Sequence, residues 1–406
     1  MGTFEIIIAA SIIIILSYLF NVIAKRTNIP SVLMLIVLGV IIHEFMLMYG
    51  ISKEPLMPAL EVLGNVGLIM IVLEAAIDLE LKKERWPIIW KSFLVALLAL
   101  VGSAFACALI IHFFIIDDKF TALLYAIPLS IMSSAIIIPS VGGLIESKKE
   151  FMVYESTFSD ILGIMFFYFM IGNADATSAN EIVSDVLTNI LVTVSLSVII
   201  SYALVWVFQQ LKAQVKLFLL ISVLLLLYAI GKIFHLSSLV IILVFGLVLN
   251  NAKLFFMGPL KRIADQVAIK RILHDFHIVI GESAFAVRTY FFVIFGISIN
   301  LSVLLNFEVA IISSCIVLAL FAVRYVFLKL FLWNDIIPQL FIAPRGLITI
   351  LLFFAIPAQF QDDNFAPSIL LYTIILTSLV MTISLIKDGK TKEIQSGIVD
   401  EIVHDK

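Results

Sequence analysis

The sequence predicts an all-α polytopic membrane protein with about 13 transmembrane helices. Of its 406 residues, 62% are hydrophobic and 14% are charged, whereas soluble domains have roughly 45–50% apolar and about 25% charged residues. Apolar runs of about 20 residues recur from end to end, and each can cross a hydrocarbon core of about 30 Å. Strict alternation in segments of about 10 residues, which is typical of a transmembrane β-barrel, does not occur in the sequence.

Charged residues and clusters of Pro, Gly and Asn separate the predicted spans. The first seven lie near 4–24, 30–48, 60–80, 91–116, 120–145, 152–173 and 182–209. The other six lie near 216–234, 237–250, 275–299, 304–332, 337–359 and 366–386. The ninth span is short enough to be a half-span, so a total of about 12 is the alternative.

The basic residues predict the orientation of the chain. With the N-terminus outside, most of them fall in loops on the inner side, as the positive-inside rule requires, and this arrangement needs an odd number of spans. We therefore expect a multi-pass protein of the plasma or inner membrane, with the N-terminus outside and the C-terminus in the cytoplasm. The inner set is Lys25, Arg26, Lys82, Lys83, Arg85, Lys148, Lys149, Lys212, Lys216, Lys253, Lys261, Arg262, Lys270, Arg271, Lys387, Lys390 and Lys392, and the outer set is Lys53, Lys119 and Lys232.

Two segments are predicted to lie outside the bilayer core. Residues 251–271 are basic and amphipathic, which predicts a linker along the inner surface, within a transmembrane domain that covers 1–386. Residues 387–406 form a charged cytoplasmic tail, which is too short for a nucleotide-binding or regulatory domain.

The fifth and twelfth spans contain residues that interrupt helices. Proline removes a backbone donor and clashes with the carbonyl one turn back. In hydrocarbon the freed groups need partners, so such breaks are tolerated mainly around a cavity or an ion. Interrupted spans at matching positions of two halves indicate a transporter with inverted repeats. The residues are Pro128, Pro139, Gly142 and Gly143 in the fifth span, with Ser133 and Ser134 between them, and Pro338, Pro344, Gly346 and Pro357 in the twelfth.

Asp160 is predicted to lie near the middle of the bilayer. It follows the inner edge, marked by Lys149 and Glu150, by about ten residues, which is about 15 Å of helix. A charge at that depth costs roughly 2.5–3.5 kcal/mol on insertion scales, so it needs a partner or a function. Ser156 lies one turn back on the same face, and Ser159 is its neighbour. Carboxylate and hydroxyl oxygens suit a hard cation, and removal from water favours the protonated carboxyl, so a cation and a proton are expected to compete there.

The other charges within the spans are expected to be paired or to lie near the headgroups. Glu155 and Arg324 are at similar depth, and Arg345 is the rival partner of Glu155. We expect this pair to be structural, because a permanent pair is occupied and arginine does not release its proton. Glu74, at the inner end of the third span, is an accessory candidate for the site. A structural role beside an arginine is the alternative for Asp160.

Five stretches between residues 60 and 360 resemble, in order, a known superfamily. "YESTFSDILGIMFF" resembles the "ES-x-x-ND" helix of the sodium/proton exchanger branch of the monovalent cation:proton antiporters. "IVLEAAIDLELKKERW" is similar to the third helix of that family, and "VIGESAFAVRTYFFVIFGISIN" to the stretch before its central helices. "LALFAVRYVFLKL" resembles the helix that supplies a buried arginine, and "PRGLITILLFFAIP" resembles the "RGA"-type broken helix.

The resemblance implies roles for the site residues. By position, it implies that Asp160 binds the cation and the proton, with Ser156 as a ligand, and that Glu155 and Arg324 stabilise the site. The broken fifth helix would contribute backbone near Ser133 and Ser134. Two departures stand out. Ser159 replaces the asparagine of the family motif, and "SSAIII" stands in place of the acidic "TDP" motif. The "SSAIII" sequence is closer to that of the potassium-efflux branch.

The resemblance also implies an architecture. The implied fold has 13 helices, two of which are broken and cross each other. The implied mechanism is elevator-like alternating access. We assign the core helices to about 91–173 and 304–386, and the dimerisation scaffold to about 4–48 and 182–250.

These features predict a secondary-active antiporter, not an enzyme, that exchanges Na⁺, Li⁺ or K⁺ for a proton at Asp160. One carboxylate that exchanges one cation for one proton predicts an electroneutral cycle. We expect a homodimer in the lipid bilayer, with no cofactor and no nucleic-acid partner. The alternatives are a proton-coupled potassium transporter, an organic-anion symporter, and a cation channel, which would need a filter for several ions. An intramembrane hydrolase would need a paired Asp, a Ser–His arrangement or a metal motif, and the sequence shows none of these.

Overall fold

The computed structural model of the chain is built from helices. It describes residues 3–27, 30–50, 57–79, 81, 83–174, 195–207, 219, 221–226, 228, 238–256, 266–299, 306–333 and 335–404. Throughout these residues the regular structure is helical, which confirms the predicted fold class. The predicted spans near 182–209 and 216–234 fall largely outside the described residues.

Twelve helices are labelled here in chain order. The first seven are α1 (Thr3–Thr27), α2 (Ser31–Met48), α3 (Met57–Asp78), α4 (Trp86–Phe114), α5 (Lys119–Ser130), α6 (Ser134–Ser140) and α7 (Glu146–Gly172). The others are α8 (Ser238–Asn250), α9 (Gln266–Ser298), α10 (Phe307–Leu332), α11 (Leu347–Phe354) and α12 (Ser368–His404). A short helix, Ala252–Phe255, follows α8, and residues 195–207 are also helical.

Many of these helices can cross a bilayer. Within the described residues, seven segments are long and apolar enough: Ile7–Ala24, Ser31–Met48, Trp86–Phe114, Lys119–Ser140, Leu273–Ser298, Phe307–Leu332 and Ser368–Asp388. α7 has 27 residues and is also long enough by length alone. The protein is therefore a multi-pass membrane protein.

Polar side chains cap the N-termini of two membrane helices, α5 and α10. Asp118 caps α5, because its side chain accepts a hydrogen bond from the Thr121 N–H at 2.7 Å. Hydrogen bonding from Thr121 lowers the pKa of Asp118. Asn306 caps α10 in the same way and accepts from the Glu308 N–H at 2.9 Å. Such caps satisfy N–H groups that a helix leaves without an intrahelical partner.

The helices pack in two groups, which we name after their central members. In the α9 group, α9 packs against α1, α2 and α3, and α8 packs against α3. In the α4 group, α4 packs against α5, α7 and α10. The other members are α6, which packs against α7, α11, which packs against α5, and α12, which packs against α10. α3 meets the α4 group at α7 and α11, and α8 meets it at α7.

One glycine pair brings α2 and α9 unusually close. A Cβ on Gly39 would lie 2.8 Å from the Cα of Gly296, and it would also collide with the carbonyl oxygen of Val293. Small residues at such a crossing allow two membrane helices to pack backbone against backbone. Neither glycine of this crossing can therefore carry a larger side chain without a shift of one helix.

Two helices extend beyond the predicted spans. α9 begins at Gln266, so the last six residues of the predicted linker, 266–271, belong to this helix. α12 continues to His404 and includes most of the predicted tail, 387–406. Both extensions place charged residues on helices that also contain a membrane span.

Candidate functional site

The two interrupted spans cross, and their breaks contact each other. α5 ends at Ser130 and α6 begins at Ser134, with extended backbone at Ile131 and Ser133. In the twelfth span, residues 342–346 are non-helical and precede α11. The Ser133 N–H donates to the carbonyl oxygen of Pro344 at 2.9 Å. Each break therefore supplies a backbone partner to the other, as buried backbone in hydrocarbon requires.

Gly346 allows this close crossing. A Cβ at this position would lie 2.7 Å from the Ser133 Oγ and 2.9 Å from the Ser133 Cβ. Both distances are shorter than ordinary van der Waals contact. The glycine is thus required by the approach of the other broken helix.

Asp160 lies beside the crossing and is 2% exposed. Its Oδ2 accepts a hydrogen bond from the Ser134 N–H at 3.1 Å. Its Oδ1 is buried, and none of the described residues offers it a hydrogen bond. An unsatisfied buried carboxylate oxygen is costly, so this atom is suited to hold a proton or to ligate a cation.

The predicted serine ligands have different positions. The Ser159 Oγ accepts from the Met132 N–H at 3.0 Å, which ties α7 to the first break. The Ser156 Oγ donates to the Val153 carbonyl oxygen of its own helix at 3.2 Å. Ser133 and Ser134 contribute their backbone N–H groups, to Pro344 and Asp160 respectively. Ser133, Ser134 and Ser159 therefore contact the crossing, whereas the hydrogen bond of Ser156 lies within α7. The described contact with Asp160 comes from Ser134.

Glu155 and Arg324 form a bidentate pair. The distances are 2.5 Å from Oε1 to NH1 and 2.9 Å from Oε2 to NH2, and the side chains are 0% and 4% exposed. Arg324 also donates to the carbonyl oxygens of Gln339 and Leu340, at 2.9 Å and 3.2 Å. The pair thus connects α7, α10 and the segment that leads into the second break.

Arg345 has other partners and is not the second arginine of that pair. It donates to the carbonyl oxygens of Leu129 at 2.9 Å, Ser130 at 3.2 Å and Ala343 at 2.5 Å. Leu129 and Ser130 end α5, where unpaired carbonyls carry the negative end of the helix dipole. The guanidinium therefore neutralises the first break from within the second.

Thr377 completes the second break, and the sequence reasoning missed it. Its Oγ1 accepts from the backbone N–H of Arg345 at 3.1 Å, and donates to the Thr373 carbonyl oxygen at 2.7 Å. A threonine within an apolar helix satisfies its hydroxyl locally in many proteins, so its identity carries no signal. Only the contact between α12 and the break identifies it.

Glu74 is paired with Arg288, across α3 and α9. The Arg288 NH1 lies 3.2 Å from the Glu74 Oε2. The sequence suggests no such contact, since Arg288 and Glu282 are simply charges on one span with poor spacing. The contact depends on how α3 packs against α9, which local spacing does not encode.

A cavity of about 560 Å³ reaches the crossing from one end of the bundle. It is lined by Ala24 near the end of α1, by Pro30 before α2, and by Gly142 after α6. Deeper in, its walls include Glu74 and Ser134. Because Ser134 also binds Asp160, the cavity connects this end of the molecule with the buried carboxyl group.

Two interrupted helices that cross beside a buried aspartate, within a bundle of membrane helices, define a secondary transporter of the broken-helix kind. Residues 10–386 match the family model described as "Sodium/hydrogen exchanger, transmembrane". The chain belongs to the sodium/hydrogen exchanger family and is a multi-pass antiporter of the ion-transporting class.

Solved structures show the same fold. The structure of the sodium proton antiporter MjNhaP1 from Methanocaldococcus jannaschii at pH 8 is similar, with a TM-score of 0.69 and 20% identity. The match covers 95% of this chain and 96% of that one. A three-dimensional electron microscopy map of the same antiporter matches with a TM-score of 0.67 and 20% identity, and covers 96% of each chain. No curated protein matches the chain.

Proposed function

We propose that this protein exchanges a monovalent cation (Na⁺, Li⁺ or K⁺) for a proton, and that the two ions occupy Asp160 in turn. The observation that carries this proposal is the buried Oδ1 of Asp160, which lacks a described hydrogen-bond partner beside two crossed helix breaks. A proton or a cation on that oxygen removes the cost of burying it. Because both ions satisfy the same atom, binding of one displaces the other.

The charges near the crossing support an electroneutral cycle. Glu155 and Arg324 cancel each other at 2.5 Å, and Arg345 is held by carbonyl oxygens. Both arginines keep their protons. Asp160 is then the group whose occupancy changes, so a core loaded with one cation carries the same charge as a core loaded with one proton. Exchange of one cation for one proton moves no net charge.

The packing of the helices supports alternating access of the elevator type. The α4 group contains both broken helices and Asp160, whereas the α9 group forms the opposite wall of the cavity. Movement of the α4 group along the α9 group would carry Asp160 from one side of the membrane to the other. Basic residues mark the cavity end as cytoplasmic, so this conformation faces inward.

A homodimer in the bilayer follows from the same division. α1 and α2 lie at the edge of the α9 group and expose large apolar side chains, such as Phe4 at 81% and Met48 at 80%. Such a surface is covered by lipid or by a second copy. We place the dimer contact on the α9 group, because a fixed partner there leaves the α4 group able to move.

The first test is cation-driven proton movement in proteoliposomes, reported by a pH-sensitive dye. Wild type is expected to respond to at least one of Na⁺, Li⁺ and K⁺, and Asp160→Asn is expected to abolish the response. The amide keeps the shape of the carboxyl group but neither releases a proton nor attracts a cation. Glu282→Gln is the matched control, because Glu282 is exposed on α9. Cation–proton exchange by this variant should persist.

Other outcomes of this test select other functions. Proton movement that creates a membrane potential would overturn the electroneutral cycle. Cation flux without proton movement, and without saturation, would identify a channel. If Asp160→Asn still exchanges, the ion-binding carboxylate is another residue.

A further inference from the structure

The ion pair of Glu74 and Arg288 lies on the wall of the cavity, and its contacts are separate from the hydrogen bond between Ser134 and Asp160. Two contacts of 3.2 Å join the guanidinium to both carboxylate oxygens. Each side chain is 21% exposed, whereas those of Glu155 and Arg324 are 0% and 4% exposed. The cavity pair is therefore reachable by an ion that enters from this end of the molecule.

The pair faces the first broken helix across the cavity. α3 supplies Glu74 and α9 supplies Arg288, while α6 and the residues after it form the wall from Ser134 to Gly143. Among the described residues that line the cavity, Glu74 and Arg288 are the ionisable ones. Glu74 and Ser134 line the same cavity, and Ser134 binds Asp160, so we infer that a cation moving between Asp160 and the cavity end passes Glu74.

We propose that Arg288 sets the cation affinity along the path to Asp160, because its guanidinium occupies a carboxylate that would otherwise retain the transported cation. The proposal rests on the proposed function. A guanidinium never loses its charge and fits both oxygens of a carboxylate, so it competes persistently with a mobile cation. Arg288 thus provides a permanent positive charge inside the cavity.

The physical reason is the weak screening in a narrow cavity. A carboxylate with no positive neighbour would attract a cation strongly where the effective dielectric constant is low. A carrier must release its cation as well as bind it, and a second strong site on the path would slow the release. By neutralising Glu74, Arg288 leaves Asp160 as the site that holds the cation.

The test compares four variants in the dye assay, each reconstituted as the full chain, at several concentrations of the cation that wild type transports. Arg288→Gln is expected to lower the apparent KM about threefold to fivefold, the range for a partly exposed ion pair, and to lower kcat. Glu74→Gln leaves the arginine charge alone in the cavity and should raise KM. The charge-free double variant Glu74→Gln/Arg288→Gln should return KM close to the wild-type value.

Ser17→Ala is the matched control. Ser17 also lines the cavity, and it makes a 2.7 Å hydrogen bond with Thr289, the neighbour of Arg288. This variant disturbs the α1–α9 contact without changing a charge, so KM should stay unchanged. A purely structural role of Arg288 would lower protein yield and kcat but leave KM like that of Ser17→Ala.

The outcomes separate the two proposals. If wild type moves no protons with any tested cation, the proposed function fails and this inference fails with it. If wild type exchanges but KM of Arg288→Gln is unchanged or raised, the inference alone is overturned. If Arg288→Gln does not fold, Glu74→Gln and the double variant still decide, since the inference requires a higher KM in the single variant than in the double one.

Discussion

Two acidic residues on the same helix have opposite environments. Glu155 is 0% exposed and both of its oxygens contact Arg324, so its charge is fully compensated. Asp160 is almost as buried, but one of its oxygens has no hydrogen-bond partner among the described residues. A compensated carboxylate stabilises the fold, whereas an uncompensated one is available for exchange. The difference between the two lies in their partners and not in their depth.

This difference predicts the effect of removing the Glu155 charge. Glu155→Gln leaves Arg324 buried without its carboxylate, which costs about 3–5 kcal/mol in comparable pairs. We expect a clearly lower thermal unfolding midpoint in detergent, measured by intrinsic fluorescence, together with lost exchange.

The control for this prediction lies on the same helix. Glu146 forms a 3.4 Å pair with Lys149, and both side chains are well exposed. Such surface pairs contribute about 0–1 kcal/mol, so Glu146→Gln should leave the unfolding midpoint nearly unchanged. Equal shifts for the two variants would contradict the structural role of the Glu155–Arg324 pair.

At the scale of elements, the site is the contact between two interrupted helices. The bond from Ser133 to Pro344, the Arg345 guanidinium on the end of α5, and the Thr377 hydroxyl satisfy the groups that the breaks release. Neither broken helix is stable in hydrocarbon alone, because its freed groups would lack partners. The two breaks therefore form one structural unit, and a change in one affects the other.

Gly346→Ala tests this unit. The added Cβ would meet the Ser133 side chain at 2.7–2.9 Å, and overpacking of this kind costs about 1–3 kcal/mol. We expect a reduced exchange rate with normal insertion of the protein, measured with the dye assay and by protein yield. The matched change is Gly142→Ala, since a Cβ at Gly142 meets nothing within 4 Å. A rate for Gly346→Ala equal to that of Gly142→Ala would show that the crossing has room to spare.

At the scale of the whole molecule, the cavity opens at one end. It separates parts of the α9 group from α6 and ends near Asp160. The proposed alternating access requires that this opening closes when the opposite one forms. The orientation of the cavity and its closure are therefore both measurable at a residue on its rim.

Gly142→Cys provides that measurement. Gly142 is exposed at the cavity, and the native Cys315 is first changed to Ser because it is partly accessible. A membrane-impermeant thiol reagent should label this cysteine from the cytoplasmic side, and a transported cation should change the rate of labelling. Glu308→Cys, exposed at the start of α10, is the control and should be labelled from the outside. Labelling of both cysteines from the same side would overturn the orientation.

Several features are determined by the sequence itself. Runs of apolar residues determine the membrane helices, because this effect depends on neighbouring residues alone. Pro344 and Gly346 lie within the break of the twelfth span, as expected. The first break, at residues 131–133, contains neither proline nor glycine, and the two prolines of that span lie inside α5 and α6. The predicted depth of Asp160 comes from counting residues along one helix, and the structure shows that its side chain is buried. The short-range pattern is therefore sufficient for the all-helical fold and for the presence of two interrupted spans, but it does not locate the first break. It also selects Asp160, which stays a proposed site residue.

Other features are decided only by tertiary structure. Three contacts join residues that are far apart in the chain: Glu155 with Arg324 rather than Arg345, Thr377 with the backbone of Arg345, and Glu74 with Arg288. The partner of a buried charge is whichever group the packing of helices brings within about 3 Å, because an unpaired charge there is costly. The position of a residue along its helix does not show which neighbour its side chain faces. That direction decides that Arg324 binds Glu155, whereas Arg345 neutralises the end of α5.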